Sequence, residues 1–328
     1  MTNERERQIK TFLAKAGWSD ADRKPLAGDA SFRRYDRIKG PRGDAVLMDA
    51  PPPEEDVRPF VHVARILSDA GLAAPDILAE DPKAGLLLLE DLGDSIYTRV
   101  LTDGEEEQQL YLPAIDALVT LHQAGIPADL PAYDDDLFLF EASLLTDWFM
   151  PLAGLELTDQ GRHDYLNLWR ELLPVARQVP DCVVLRDYHA DNLLWLPERK
   201  GIQRVGQLDF QDAVIGPVTY DLVSLLEDAR RDVAPDTIAA AIDHYLAQVP
   251  AIDHDTFQAS YAVMGAQRNL KILGIFCRLL TRDGKSGYQA YMPRVWGHVA
   301  TDLKHPALTP LGSWLDRWIP MASRTRAA

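Results

Sequence analysis

Residues 184–212 read VLRDYHADNLLWLPERKGIQRVGQLDFQD, and three polar residues in that stretch decide the fold. Asp187 is followed five positions on by Asn192, and Asp209 comes seventeen after that. Each sits at the edge of an apolar run: VVL before Asp187, LLWL after Asn192 and VGQL before Asp209. Short apolar, β-branched runs bounded by turn residues read as buried strands. Between the last two, LPERKG carries Pro197 and Gly201, which makes a hairpin. A loop–strand–turn–strand unit brings Asn192 and Asp209 together, with Asp187 close by.

Those residue types suit phosphoryl transfer. Mg²⁺ takes oxygen ligands, usually one or two carboxylates plus substrate phosphates. The Asn192 amide and the Asp209 carboxylate are the candidate metal ligands, and Asp187 is the candidate base for an attacking hydroxyl. Kinases divide the labour this way, with a D-x-x-x-x-N loop and a downstream Asp. Asp and Asn also populate ordinary turns, so the weight falls on the hairpin and the L-D-F segment together.

D-Y-H-A-D-N followed by LDFQDAVIGPVTYDL resembles the catalytic region of the aminoglycoside phosphotransferase and choline kinase superfamily. The resemblance implies an α+β, protein-kinase-like fold with a small β-rich N-terminal lobe and a larger, mainly helical C-terminal lobe. It also implies ATP and Mg²⁺ as cofactors. Where these enzymes commonly read H-x-D, the His position here is Leu185, which bears on local packing more than on chemistry.

Upstream, residues 28–35, GDASFRRY, lie where the fold would place a nucleotide loop. Backbone N–H groups in a tight glycine turn cradle phosphates, which makes Ser31, Phe32 and Arg33 candidate nucleotide contacts. No G-x-x-x-x-G-K-[ST] is present, so a P-loop is not supported. Protein kinases carry a phosphate-pairing Lys on the third strand, whereas AVLMDA at 45–50 offers Asp49 and no cation. Arg33, Arg34 or Arg37 are the substitutes in reach. Glu54 and Glu55, ahead of a helix at 57–70, are the ion-pair candidates for such a cation. GLLLLEDLGD at 85–94 resembles the superfamily's hinge, where backbone groups read adenine, and marks Glu90 and Leu92. The expected division is a nucleotide lobe of residues 1–92 and a catalytic and substrate lobe of 93–328.

Expected elements upstream of the hinge are a helix over 4–16 capped by Gly17, two strands within 26–49 about a PRG turn, and strands at 75–79 and 85–90. Helices are expected over 105–124, 142–152, 158–177, 220–230, 236–248 and 257–280. Asp221, at the start of one of them, reads as a structural cap or brace for the catalytic loop. His189 reads as a hydrogen-bonded scaffold residue.

The acceptor is addressed by residues 264–285, where Arg268, Asn269 and Lys271 interrupt an apolar helix. Arg268 and Lys271 share a face. Their anionic partner is a sugar carboxylate, ATP phosphate or an internal acid; with Asp212 they are the candidate substrate residues. The segments at 28–35, 46–52 and 267–276 resemble one branch of the superfamily, the bacterial anomeric kinases of N-acetylmuramate and N-acetylglucosamine. That likeness implies a sugar 1-phosphate product in peptidoglycan recycling. Rival readings are an aminoglycoside, choline or homoserine kinase, and a catalytically silent nucleotide-binding module.

Composition bounds the rest. A chain of 328 residues with 47% hydrophobic content holds one large or two modest domains. A net charge of −16 argues against nucleic acid as a partner. No run reaches membrane-spanning length, and the charged start MTNERERQIK lacks an apolar signal core. Two cysteines are too few for a disulfide framework. The expectation is a cytoplasmic enzyme that takes ATP and a small sugar, with no protein partner implied.

Overall fold

The computed structural model describes residues 3–19, 21–26, 32–40 and 42–324. In chain order the elements are α1 (Asn3–Lys15), β1 (Asp22–Pro25), β2 (Arg34–Gly40), β3 (Gly43–Asp49), α2 (Arg58–Asp69), β4 (Ile77–Asp81), β5 (Leu86–Glu90) and α3 (Tyr97–Thr102). Helices α4 (Glu107–Gln123), α5 (Asp135–Leu144), α6 (Met150–Leu152) and α7 (Asp159–Ala176) follow. Then come β6 (Asp181–Val184), β7 (Leu193–Trp195), β8 (Val205–Gln207) and β9 (Val214–Pro217). The chain closes with α8 (Thr219–Leu226), α9 (Pro235–Gln248), α10 (His254–Asp283), α11 (Met292–Asp302), α12 (Thr309–Trp318) and α13 (Met321–Arg324).

Two compact units result. Residues to Val100 join Asp191–Asp212, and Leu101–Ala190 join the chain from Ala213 onward. The hairpin β7–β8 therefore groups with the β-rich unit. The reason is backbone pairing: Gln207 donates its N–H to the Ala73 carbonyl at 2.8 Å, and Trp195 donates to Ser95 at 2.8 Å.

The first unit is an antiparallel five-stranded sheet in the order β1-β2-β3-β5-β4. The apolar run of β5 is buried along Leu86–Leu89, so both of its faces are covered. Ile9, Phe12 and Leu13 of α1 share one core with Ile38, Ala45, Leu47, Leu86 and Leu88. Gly17 (φ +82°) and Gly71 (φ +77°) end α1 and α2 in the left-handed region, where a side chain would be strained. Sequence reasoning missed β1, because its four residues, DRKP, are charged or kinked and lie at the sheet edge.

The second unit is helical, with β6 and β9 forming a separate antiparallel pair. Its axis is the 30-residue α10. A Cβ added at Gly274 would lie 2.3 Å from the Leu144 carbonyl, so only glycine lets α10 come this close to the end of α5. At that point α5 passes into a π-turn over Leu145–Phe149, and the helix expected at 142–152 starts earlier, at Asp135 behind its Asp134 cap. No helix among the described residues is long and apolar enough to cross a membrane.

Candidate active site

In the first unit, the ends of β7 and β8 converge. Leu208 donates its N–H to the Asn192 carbonyl at 2.9 Å, which sets Asn192 beside the residue preceding Asp209. Asp209 has φ +58°. A left-handed L-residue costs roughly 1–2 kcal/mol, and such outliers collect where the surroundings impose a functional geometry. Behind it, Phe210 is buried against Phe60 of α2, with ring centroids 4.8 Å apart. Gln211 Nε2 donates to Asp209 Oδ1 at 2.9 Å.

β3 carries no cation, and an arginine lies nearby. Arg33 is mostly buried; its Nε lies 3.4 Å from Glu55 Oε2 and its Nη1 3.9 Å from Asp209 Oδ1. Glu55, just ahead of α2, also accepts the Phe32 N–H at 3.1 Å. Of the three arginines considered, Arg37 is committed elsewhere, to Asp91 and Asp94 at 2.7 Å each, and Arg34 is exposed on β2. Asp49 is buried in a bidentate contact with Arg5 of α1, Nε at 2.8 Å and Nη2 at 2.6 Å, so its role is to join helix to sheet. Ser31 lies outside the described residues. Phe32 is exposed, Glu90 pairs with Arg199, and Leu92 packs over Gly206 of β8. Asp212 is exposed.

The oxygen-donor set formed by Asn192 and Asp209 fits Mg²⁺, which combines few protein carboxylates with substrate phosphates. Arg33 beside Asp209 provides a positive charge facing the same place.

In the second unit, the loop after β6 carries Asp187, which is exposed between the buried Leu185 and Tyr188. Its backbone is fixed from α8. Asp221 Oδ2 accepts the Leu185 N–H at 2.6 Å and Oδ1 accepts the Arg186 N–H at 2.9 Å. Burial pushes the Asp221 pKa up to about 7, with the two amides pulling the other way. Ser224 donates to the Arg186 carbonyl at 3.2 Å, and Arg186 itself has φ +72°. His189 Nε2 lies 3.2 Å from Arg230 Nη1, and burial together with that guanidinium drops its pKa to about 4. It is a neutral scaffold residue.

Lys271 and Arg268 lie on α10 and are both buried. Lys271 Nζ donates to Glu141 at 3.1 Å and to the Tyr220 hydroxyl at 2.8 Å, so of the three partners envisaged for it the structure provides the internal acid. Glu141 also binds the Arg186 guanidinium and accepts the Tyr133 hydroxyl at 2.6 Å. Burial works against the Glu141 carboxylate, but Lys271 and Arg186 outweigh it and hold its pKa below the usual range. Arg268 Nη1 is buried with no hydrogen-bond partner among the described residues. Glu141 was not foreseen from sequence. Its only signal there is an acid directly after the apolar run LFLF of α5, 45 residues before the arginine that it holds.

A loop acid braced from a helix start, and an amide and an acid closing a hairpin, are the parts of an enzyme that transfers phosphoryl groups with a protein-kinase-like fold. The family described as "Phosphotransferase enzyme family" matches residues 22–257, and the chain belongs to it. Among curated relatives, the N-acetylmuramate/N-acetylglucosamine kinase of Caulobacter vibrioides is 39% identical over 99% of both chains. The Pseudomonas aeruginosa protein of the same name is 39% identical, covering 93% of this chain and 91% of its own. Among solved structures, a choline/ethanolamine kinase family protein from Mesorhizobium loti superposes with TM-score 0.63 at 16% identity, covering 95% of this chain and 99% of that one. An ADP-bound aminoglycoside phosphotransferase gives TM-score 0.61 at 15% identity, over 92% and 98%. At such identities the likeness is one of fold.

Proposed function

We propose that this kinase transfers the γ-phosphoryl group of ATP to the anomeric hydroxyl of N-acetylmuramate or N-acetylglucosamine. The observation that carries the proposal is 39% identity, over 99% of both chains, to an enzyme named for those two sugars. Peptidoglycan sugar recycling in the cytoplasm is the setting that such a reaction fits.

In this reading Asp187 accepts the proton of the attacking hydroxyl. The C1 hydroxyl of a reducing sugar is more acidic than an ordinary alcohol, so a carboxylate suffices as base. General-base help of this kind contributes roughly 10²–10⁴-fold, and positioning and electrostatics supply the larger share. Asn192 and Asp209 would hold Mg²⁺, which when bound neutralises charge on the transferring phosphates. Arg33, steadied by Glu55, takes the place of the strand lysine of other kinases. The nucleotide is bounded by Phe32 and Arg33 and by Glu90 and Leu92 at the hinge. Arg268, a buried cation with an unsatisfied donor, and the exposed Asp212 are the residues left for the acceptor. A buried guanidinium needs anionic or strongly accepting partners; the charge of Asp221 is one for Arg268, and the lactyl carboxylate of N-acetylmuramate would be a further one for its unpartnered Nη1.

The experiment is an ATP-turnover panel. N-acetylmuramate and N-acetylglucosamine should support turnover, whereas aminoglycosides, choline and homoserine should not. Turnover with choline or an aminoglycoside alone would replace the acceptor assignment, and no turnover with any acceptor would favour a silent nucleotide-binding module.

A further inference from the structure

The segment bearing Asp187 is held from more sides than a packing role calls for. The residue before it, Arg186, is left-handed at φ +72°, one of two non-glycine residues so placed among those described. Its N–H is given to Asp221, its carbonyl accepts from Ser224 and its Nη2 donates to Glu141, while Nε is buried with no hydrogen-bond partner among the described residues. Glu141 is in turn fixed by Lys271 and by Tyr133, and Lys271 reaches back to Tyr220 on α8. Tyr220 is the neighbour of Asp221, so the chain of contacts closes into a ring that runs from α8 to the loop by two routes. Within the ring, two cations flank one carboxylate. Asp187 interacts favourably with both cations, which places its charge on the same local balance.

We infer that Glu141 and Lys271 are positioning residues for phosphoryl transfer, acting through Arg186 to fix the backbone that carries Asp187, an inference resting on the reading of Asp187 as the general base. Glu141 draws the Arg186 side chain away from Asp187, and Lys271 keeps Glu141 ionised and in place. Two of the lysine's three N–H donors are thereby committed inside the protein. The ring also performs, with charges, the bracing of the loop that Leu185 cannot perform with an apolar side chain.

The test is steady-state kinetics with ATP, Mg²⁺ and N-acetylglucosamine. Arg186→Met leaves Glu141 its ammonium and phenol partners, so the buried network survives. Its kcat should fall about 10- to 100-fold, the scale of a base displaced by an ångström, while KM for both substrates stays at the parent value. Glu141→Gln should fall likewise, because the Arg186 guanidinium and the Lys271 ammonium then lose the carboxylate that holds them. Adding Lys271→Met to Glu141→Gln removes the surplus cation and should recover roughly tenfold of that loss. A merely structural role moves thermal stability instead, leaves kcat per folded molecule at the parent value, and makes the double variant worse than the single. Asp187→Asn is the reference. If it abolishes turnover while Arg186→Met and Glu141→Gln keep theirs, the positioning inference is overturned and the base assignment stands. If Asp187→Asn itself turns over at the parent rate, the base assignment fails and takes this inference with it.

Discussion

Arg33→Met tests whether this kinase has moved its phosphate cation from the third strand to the preceding loop. Arg33 Nε lies 3.4 Å from Glu55 and Nη1 3.9 Å from Asp209, with its side chain 13% exposed. At 3.4 Å a unit charge pair is worth about 1.2 kcal/mol in water and about 5 kcal/mol at an effective dielectric of 20, before any cost of desolvation. A side chain this buried lies between those limits, and a nucleotide phosphate carries more charge than one carboxylate. A lost charge-assisted hydrogen bond is worth roughly 1.5–3 kcal/mol, or about 10- to 150-fold. That loss is expected in kcat/KM for ATP at saturating sugar, with KM for the sugar unmoved. Arg33→Lys should recover part of it, because the charge remains but the fork that spans Glu55 and Asp209 is gone. Arg34→Met is the control, since that neighbour points to solvent on β2. Equal, small effects of Arg33→Met and Arg34→Met would refute the reasoning, and the phosphates would then be held by backbone and metal alone.

Three further outcomes are expected. Asp187→Asn should lower kcat at least about 10²-fold with nucleotide affinity retained, which turnover kinetics and nucleotide titration check together. Asp209→Ala should abolish the Mg²⁺-dependent tightening of ATP binding while the fold persists, and calorimetry with unchanged Mg²⁺ dependence would remove Asp209 from the ligand set. Burial raises the pKa of Asp221 to about 7, well above an unfolded carboxyl. A raised folded-state pKa gives stability that is complete below about pH 4 and lost as pH climbs through about 7. Urea midpoints should therefore fall between pH 5 and 8, and Asp221→Asn should flatten that slope; an identical slope in the variant would contradict the assignment.

The parts of this site that were legible in the sequence are those written locally. Asn192 and Asp209 flank strands whose apolar runs are contiguous, and Leu86–Glu90 is so uniformly apolar that only a buried strand accommodates it. Asp221 was legible as a brace because helix starts and acids go together. What sequence hid was long-range pairing. The pairing of Arg33 with Glu55 was among the candidates, but the sequence did not single it out from Arg34, Arg37 and Glu54, and nothing local joins Arg5 to Asp49 across 44 residues. Lys271 shows why charge alone misleads. A cation on an apolar helix signals an anion nearby, but whether that anion is a ligand or Glu141, 130 residues upstream, is decided by packing. The helices from residue 292 onward were also unread, since α11 and α12 mix tryptophan with charge.

The central claim is that the acceptor is the anomeric oxygen of an N-acetylated amino sugar. The most direct measurement is a phosphorus-31 spectrum of the reaction mixture with ATP, Mg²⁺ and N-acetylglucosamine or N-acetylmuramate. ADP should appear together with a new phosphomonoester signal coupled to the sugar's anomeric proton. A phosphomonoester coupled to the C6 protons, or ATP left intact with both sugars, would contradict the claim.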